Sequence, residues 1–172
     1  MPPLKKPVVL DNDVVSRLYS VGALHRALEV WPKGSFRVTG RVINEARSWP
    51  TQGQILVALL KELGAGGTLV FISIDESSEE EIGTYARLQL EKKLGRGESA
   101  SIAIACHRGF DIATDDSVAA DTCKAMNPSV SILGTGTLLN LDVQDGLMTQ
   151  NEVNAIQAKI RRASKNISKG GQ

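Results

Sequence analysis

Short apolar runs alternate with helix-like runs along this 172-residue chain, and acidic residues stand where one gives way to the other. The first strand-like run, residues 8–10, leads directly into Asp11, and residues 111–114 lead into Asp115 and Asp116. Strands that alternate with helices predict a parallel sheet covered on both faces. Because the carboxyl ends of parallel strands share one edge of the sheet, these acids are expected to meet there.

Five strand-like runs are predicted, and we expect them in one central parallel sheet. They cover residues 7–10, 35–39, 68–74, 111–114 and 130–133. A further amphipathic helix is predicted over residues 149–163, because Val153, Ile156 and Ile160 share one face. We therefore expect a single three-layer α/β domain over residues 1–146. Residues 147–172 are expected to form an extra basic C-terminal helix with a frayed tail.

The composition restricts the compartment and the class of partner. With a formal net charge of +1, the chain has no global field to attract nucleic acid, so contacts with it must come from local basic patches. Two cysteines are too few for a disulfide framework and are typical of a reducing cytoplasm. No apolar run reaches membrane-spanning length. We expect a cytoplasmic protein that does not enter a membrane.

Helical geometry indicates that two of the acids stand above buried faces. Residues three, four and seven positions apart share a helix face. Those positions are apolar after Asp11, where they include Val14 and Leu18, and small or apolar after Asp116, where they are Ala120 and Cys123. A carboxylate in such a place costs several kcal/mol unless something compensates its charge.

Two more acids extend this pattern. Glu98 opens an alanine-rich helix after Gly95 and Gly97, and Glu45 lies three residues after Val42 at the edge of an apolar helix face. Each acid alone is typical of a helix cap or of an ordinary charge near a helix start. Together they predict a metal site, because crowded carboxylates repel one another unless a cation holds them. Oxygen ligands favour Mg²⁺ or Mn²⁺ over zinc.

The remaining acids are assigned supporting roles. The helix face of Asp13 carries Ser16 and Arg17, so Asp13 is expected on the solvent side or behind the metal ligands. Asp115 and Asp116 cannot be separated by pattern alone: one can cap the helix while the other binds metal, and the face of Asp116 favours it. The acidic run at residues 79–81 is expected to be a solvated helix start.

The segments that carry these acids resemble those of the PIN-domain nucleases, which include VapC-like toxins. The most specific part is the glycine–glutamate pair Gly97–Glu98 opening an alanine-rich helix, followed by a strand that ends in paired aspartates at Asp115 and Asp116. The resemblance covers residues 8 to about 141. It implies a parallel sheet flanked by helices, a divalent-metal site and an RNA substrate. It also implies a homodimer and, for a toxin, a small antitoxin protein as partner.

By this resemblance Asp11, Glu45, Glu98 and Asp116 form the catalytic quartet. Asp11 and Glu98 are expected to bind the ion directly. Asp116, or Asp115 in its place, is expected to hold a second ion or to orient water, and Glu45 to position or deprotonate the attacking water. The expected function is therefore that of a metal-dependent endoribonuclease, with Mg²⁺ or Mn²⁺ as cofactor.

Several basic residues near the predicted site are candidates for contacts with the RNA backbone. In chain order they are Arg17, Arg41, Lys92, Lys93 and Arg96. The C-terminal helix carries Lys159, Arg161, Arg162 and Lys165, with no acid after Glu152, and is expected to contact RNA or a partner, or simply to be solvated.

Two other functions fit parts of the pattern. The Asp-x-Asp sequence at Asp11 and Asp13 is also typical of a haloacid-dehalogenase-like phosphatase, with Asp11 as nucleophile and Asp13 as acid. That reading leaves Glu45 and Glu98 without a role. A non-catalytic interaction module of the same fold is the third candidate. Metal-dependent cleavage of RNA separates the first function from the other two.

Overall fold

The structure is a computed structural model that describes residues 5–169, with side chains as far as Asn166. The strands are β1 (Val8–Leu10), β2 (Phe36–Thr39), β3 (Leu69–Ile72), β4 (Asp111–Ala113) and β5 (Ile132–Leu133). The helices are α1 (Asn12–Ser20), α2 (Leu24–Glu29), α3 (Gly40–Arg47), α4 (Gly53–Ala65), α5 (Glu79–Glu91), α6 (Arg96–Arg108), α7 (Ser117–Met126), α8 (Thr135–Gln144) and α9 (Gln150–Lys169). The five expected strands are confirmed, and all their pairings are parallel.

The order of the strands determines where side chains can converge. The sheet runs β3-β2-β1-β4-β5, so the chain winds outward in one direction from β1 and in the other from β4. Leu10 pairs with Ala113 at the carboxyl ends of these two central strands. In open α/β sheets the crevice at such a reversal point is where ligands bind. The topology therefore places a crevice directly beyond Leu10 and Ala113.

Successive residues of the central strand point into two separate cores. Val8 and Leu10 pack in a core built from α1, α2, α3, α4, α8 and α9, whereas Val9 packs in a second core built from α5, α6 and α7. All three side chains are at most 2% exposed. Burial on both faces explains why β1 is a continuous apolar run rather than an alternating one. The predicted three-layer α/β class is confirmed.

The C-terminal helix α9 is joined to the domain at its first turns. Val153 is fully buried in the first core, and Ile156 packs against the same core. Glu152 accepts hydrogen bonds from Arg26 at 3.2 and 3.3 Å. The tail expected to fray at Ser164 is instead helical as far as Lys169, and residues 170–172 lie outside the described residues. Within residues 5–169, none of the helices combines the length and the apolar character that crossing a membrane requires.

Asp142, in α8, is a buried acid that the sequence pattern did not predict. The Asp142 side chain is fully buried and accepts a hydrogen bond from Nε1 of Trp31, while its other oxygen, Oδ2, has no partner among the described residues. Burial raises the pKa of Asp142 to about 6, although the Trp31 hydrogen bond and the nearby charges of Lys5 and Arg26 oppose that rise. This carboxylate joins α8 to the chain segment before β2.

The acidic start of α5 is not fully solvated, which corrects the expectation for residues 79–81. Glu81 is only 3% exposed, and Arg108 donates to it at 2.7 and 3.1 Å. Glu81 also accepts a hydrogen bond from the backbone N–H of Asp75 at 2.8 Å. Glu79 and Glu80 are exposed, as expected. The ion pair therefore fastens the first turn of α5 to the last turn of α6.

Removing one member of this pair should destabilise the fold more than removing an exposed arginine. Arg108→Met keeps much of the apolar stem but leaves the buried Glu81 carboxylate without its counter-charge. We expect a loss of about 2–3 kcal/mol in the free energy of unfolding, measured by urea denaturation. Arg87→Met, at an exposed position of the same helix pair, should change it by less than about 0.5 kcal/mol. Equal losses in the two variants would show that the pair contributes nothing specific.

Candidate functional site

Asp11 lies at the point where β1 meets α1, directly in the crevice between β1 and β4. Its backbone is extended (φ −82°, ψ 157°), and its carboxylate accepts hydrogen bonds from the N–H of Asn12 at 2.8 Å and from Oγ1 of Thr114 at 3.1 Å. The residue is 1% exposed. Burial, with repulsion from the Asp13 and Glu98 carboxylates, raises the pKa of Asp11 to about 7. A charge at this position is therefore costly in the absence of a cation.

The two aspartates after β4 have different environments. Asp115 accepts from Arg17 at 2.7 Å and from both the N–H and the Oγ1 of Thr135, at 2.7 and 2.6 Å, so it connects α1 with α8. Asp116 caps α7 through Oδ1, which accepts from the N–H of Ala119 at 2.9 Å. The charge of Asp116 is one of those that raise the pKa of Glu98. This arrangement favours Asp116 over Asp115 as the residue that faces the other acids.

Glu98 lies in the first turn of α6 and is the acid on which the others act. Its carboxylate accepts from the N–H of Gly95 at 3.2 Å, which holds it at the helix start. Burial is the main cause that raises the pKa of Glu98, and repulsion from Asp116, Asp13 and Glu45 raises it further. Acids from α1, α3 and the start of α7 therefore lie near enough to Glu98 for their charges to repel its own. That they converge closely enough to share one ion stays a prediction.

Glu45 approaches the first turn of α6 closely because residue 97 is a glycine. Its Oε1 accepts from the N–H of Gly97 at 3.0 Å, which ties α3 to α6. A Cβ atom at position 97 would lie 2.6 Å from this oxygen, closer than such atoms approach in real structures. Gly97 is therefore required for the close approach of Glu45 to the helix, whereas a Cβ at Gly95 would meet only Glu98, at 3.8 Å.

Asp13 is not on the solvent side, which corrects one of the two expectations for it. It is only partly exposed; Oδ1 accepts from the N–H of Val14 at 2.7 Å and Oδ2 from the N–H of Asp115 at 2.8 Å. Thr114 Oγ1 lies 3.4 Å from Asp13 and 3.1 Å from Asp11, so it lies between the two carboxylates. Asp13 and Thr114 thus support the acids around them, and the Asp-x-Asp spacing after β1 was the available signal.

The side chains around the crevice carry oxygen donors, the type of ligand that Mg²⁺ and Mn²⁺ prefer. The converging side chains offer oxygen atoms only, and Oδ1 of Asn12, next to Asp11, is buried with no hydrogen-bond partner among the described residues. No group of three or more Asp, Glu, His or Cys residues within residues 5–169 is arranged so that it could hold an ion as the side chains stand. Mg²⁺ commonly binds through one or two carboxylates and keeps several waters, so such a group is not a requirement for it.

The basic residues expected near the site differ in whether their charge is already paired with an acid. Arg17 is paired with Asp115. Arg41 is exposed in α3, one helical turn before Glu45, and has no ion pair or hydrogen bond with any other described residue. Lys92, Lys93 and Arg96 are exposed just before and at the start of α6. Arg41 thus carries an exposed guanidinium one helical turn from Glu45.

Comparisons with known proteins bear on the fold. A scan of protein-family models finds no match, and no curated protein matches the chain. Among solved structures, the chain is similar to the crystal structure of PAE2754 from Pyrobaculum aerophilum, with a TM-score of 0.52 and 13% sequence identity. The likeness covers 81% of this chain and 99% of that one. At such low identity it shows that the two share an α/β fold and says nothing of activity.

Neutralising Asp11 should alter how stability depends on pH when no divalent cation is present. Because the folded-state pKa of Asp11 is raised from 3.8 to about 7, its ionisation destabilises the fold, and stability falls as the pH rises through that range. Asp11→Asn keeps the helix cap but cannot ionise. We expect this variant to lose less stability between pH 4 and pH 8 than the wild type, by on the order of 3 kcal/mol. Urea denaturation in EDTA measures the difference.

Asp121→Asn provides the matched control, because Asp121 is exposed in α7. It should keep the wild-type pH dependence. If the stability of the wild type and that of Asp11→Asn depend on pH in the same way, then ionisation of Asp11 does not destabilise the fold and the assignment is wrong.

Proposed function

We propose that this protein is a metal-dependent endoribonuclease that cleaves RNA phosphodiester bonds with Mg²⁺ or Mn²⁺. One observation carries the proposal: the carboxylates of Asp11, Glu45 and Asp116, from three other elements, each act on the charge of Glu98 at the reversal point of the sheet. Burial, with repulsion between carboxylates, raises the pKa of Asp11 and Glu98, so their charges are unfavourable without a cation. The resemblance of these segments to PIN-domain nucleases supports RNA as the substrate.

Each acid is assigned a role according to its surroundings. Asp11 and Glu98 would hold the ion, since their charges have the most to gain from it, and Asp116 would hold a second ion or orient water. The bound ion would polarise the scissile phosphate and offset the repulsion between that phosphate and the acids. Asp13 and Thr114 would keep Asp11 in position through their shared hydrogen bonds.

Glu45 is the best candidate to act on the attacking water. Its Oε1 is fixed by the Gly97 N–H, whereas its Oε2 accepts no hydrogen bond from any described residue. That second oxygen would accept a hydrogen bond from a water molecule and later its proton. A carboxylate held by a backbone donor loses little side-chain freedom when it takes this role.

The phosphatase alternative fits the surroundings of the two aspartates less well. Such an enzyme needs Asp13 free to donate a proton. Both oxygens of Asp13 accept from backbone N–H groups, and this mechanism gives Glu45 and Glu98 no role. Loss of a phosphatase activity in Asp13→Ala, with Glu98→Gln unaffected, would favour it nevertheless.

The biological setting is proposed from the family likeness. We propose that the protein is the toxin of a toxin–antitoxin pair, acts as a homodimer, and cleaves RNA in the cytoplasm. The cysteine content supports the choice of compartment, because two cysteines are too few for a disulfide framework.

The proposal predicts RNA cleavage that depends on both the metal and the acids. Purified protein should cut single-stranded RNA with Mg²⁺ or Mn²⁺ and leave it intact in EDTA. Asp11→Asn and Glu98→Gln should each lower the cleavage rate by at least about 100-fold, because they remove charge that binds the ion. Asp121→Asn should cleave at the wild-type rate. Intact RNA under every metal condition, with folded protein, would contradict the proposal for the RNAs tested.

Gly97→Ala is expected to inactivate the protein without unfolding it. The added methyl would push away the end of a flexible Glu45 side chain, a cheap movement, and alanine is favoured over glycine in a helix by roughly 0.5–1 kcal/mol. We expect an unchanged or higher melting temperature together with a reduced cleavage rate.

Gly95→Ala, two residues earlier, is the control for this substitution, because its Cβ has room. It should keep cleavage, with a small loss of stability, because alanine is a poorer N-cap than glycine. If the two alanine variants cleave RNA equally well, then the position of Glu45 does not matter for the reaction.

A further inference from the structure

A groove beside the acidic site has the chemistry of a nucleotide-binding surface. Its volume is about 880 Å³, within the usual range of small-ligand sites, roughly 300–1,000 Å³. It is bounded by α3, by the segment after β3, and by α5 and α6. We call it the α3–α5 groove; the residues that carry its chemistry are Arg41, Asn44, Ile74, Glu76, Ile82 and Tyr85.

The groove leads into the acidic site along one helix. Arg41 and Asn44 are four residues and one residue before Glu45, so Arg41 and Glu45 lie one above the other on α3. Ala100 of α6 forms part of the groove wall. Thr39, at the carboxyl end of β2, also lines it. The groove therefore extends the same edge of the sheet from β1 and β4 toward β2 and β3.

Charges are distributed unequally along the groove. Arg41, at the end nearer the acidic site, is exposed and makes no ion pair with any described residue, whereas Arg108 is occupied by Glu81 and by the carbonyl of Ser73. Asp75 and Glu76 lie at the β3–α5 end and disfavour a phosphate there. A phosphate is therefore favoured at the α3 end, next to the proposed metal-binding acids.

The α5 side of the groove offers a surface for a flat ring. Tyr85 is half-buried in the wall, and its hydroxyl has no hydrogen-bond partner within residues 5–169. Ile74 and Ile82 supply apolar wall around it, and Ile82 is 39% exposed. A nucleobase stacks on such an aromatic ring, whereas a base inside a duplex cannot reach it.

We propose that the α3–α5 groove binds one unpaired nucleotide of single-stranded RNA next to the scissile bond, with its phosphate at Arg41 and its base on Tyr85. This inference rests on the proposed function for the position of the scissile phosphate. It selects single-stranded over double-stranded RNA, because the base must leave its stack to enter the groove.

The test measures binding separately from cleavage. Fluorescence anisotropy with a short labelled single-stranded RNA in EDTA gives Kd without turnover. Tyr85→Leu should weaken binding by about 5- to 100-fold, and Tyr85→Phe, which keeps the ring, should bind like the wild type. Arg41→Gln should weaken binding and lower the slope of log Kd against log salt by about 0.7. The same RNA annealed into a duplex should bind more weakly.

Arg47→Gln is the matched control, since Arg47 is exposed on the same helix and does not line the groove. Equal losses in Arg41→Gln and Arg47→Gln, or wild-type Kd and cleavage in Tyr85→Leu, would overturn the groove assignment while leaving a nuclease activity intact. Absence of RNA binding by the wild type would overturn it as well. If the binding pattern holds but no metal supports cleavage, the nuclease proposal fails and the groove remains an RNA-binding surface.

Discussion

Mutual repulsion among carboxylates at the reversal point of the sheet is the constraint on which the site depends. The fold opposes that repulsion with backbone N–H groups at helix starts: Asn12 donates to Asp11, Gly95 to Glu98 and Ala119 to Asp116. The positive ends of the helix dipoles act in the same direction. These hydrogen bonds hold the carboxylates in place. They do not fully compensate for burial and repulsion, because the pKa of Asp11 is still raised. Keeping these carboxylates buried near one another therefore lowers the stability of the fold.

Contacts between neighbouring helices hold the acid-bearing segments in position despite this cost in stability. Asp115 connects α1 and α8 through Arg17 and Thr135, so the loop that carries Asp116 is held from two sides. The pair between Glu81 and Arg108 fastens α5 to α6 on the other face of the sheet. Carboxylates that repel one another keep their positions only when the surrounding contacts resist that repulsion. Here the supports are ion pairs and hydrogen bonds between neighbouring helices of the same layer.

Most of the fold was predictable because each strand and helix carries its own local pattern. The strands are short apolar runs, and the helices are delimited by Gly, Pro and capping residues, so their positions follow from neighbouring residues. The acids at the strand ends were predictable for the same reason. Asp13 and Glu81 were not, because their partners, Thr114 and Arg108, are 101 and 27 residues away in sequence. Only the strand order, with β1 beside β4, brings Thr114 next to Asp13.

All four converging acids lie between positions 11 and 116, ahead of the last strand and the last two helices. The first half of α9 anchors itself through Val153 in the core on the α1 side, and the residues that follow expose basic side chains such as Arg161 and Arg162. Mutations on that outer face therefore leave both the acidic edge and the packing of the sheet untouched. The outer face of α9 can therefore carry a contact surface that varies independently of the acidic edge of the sheet.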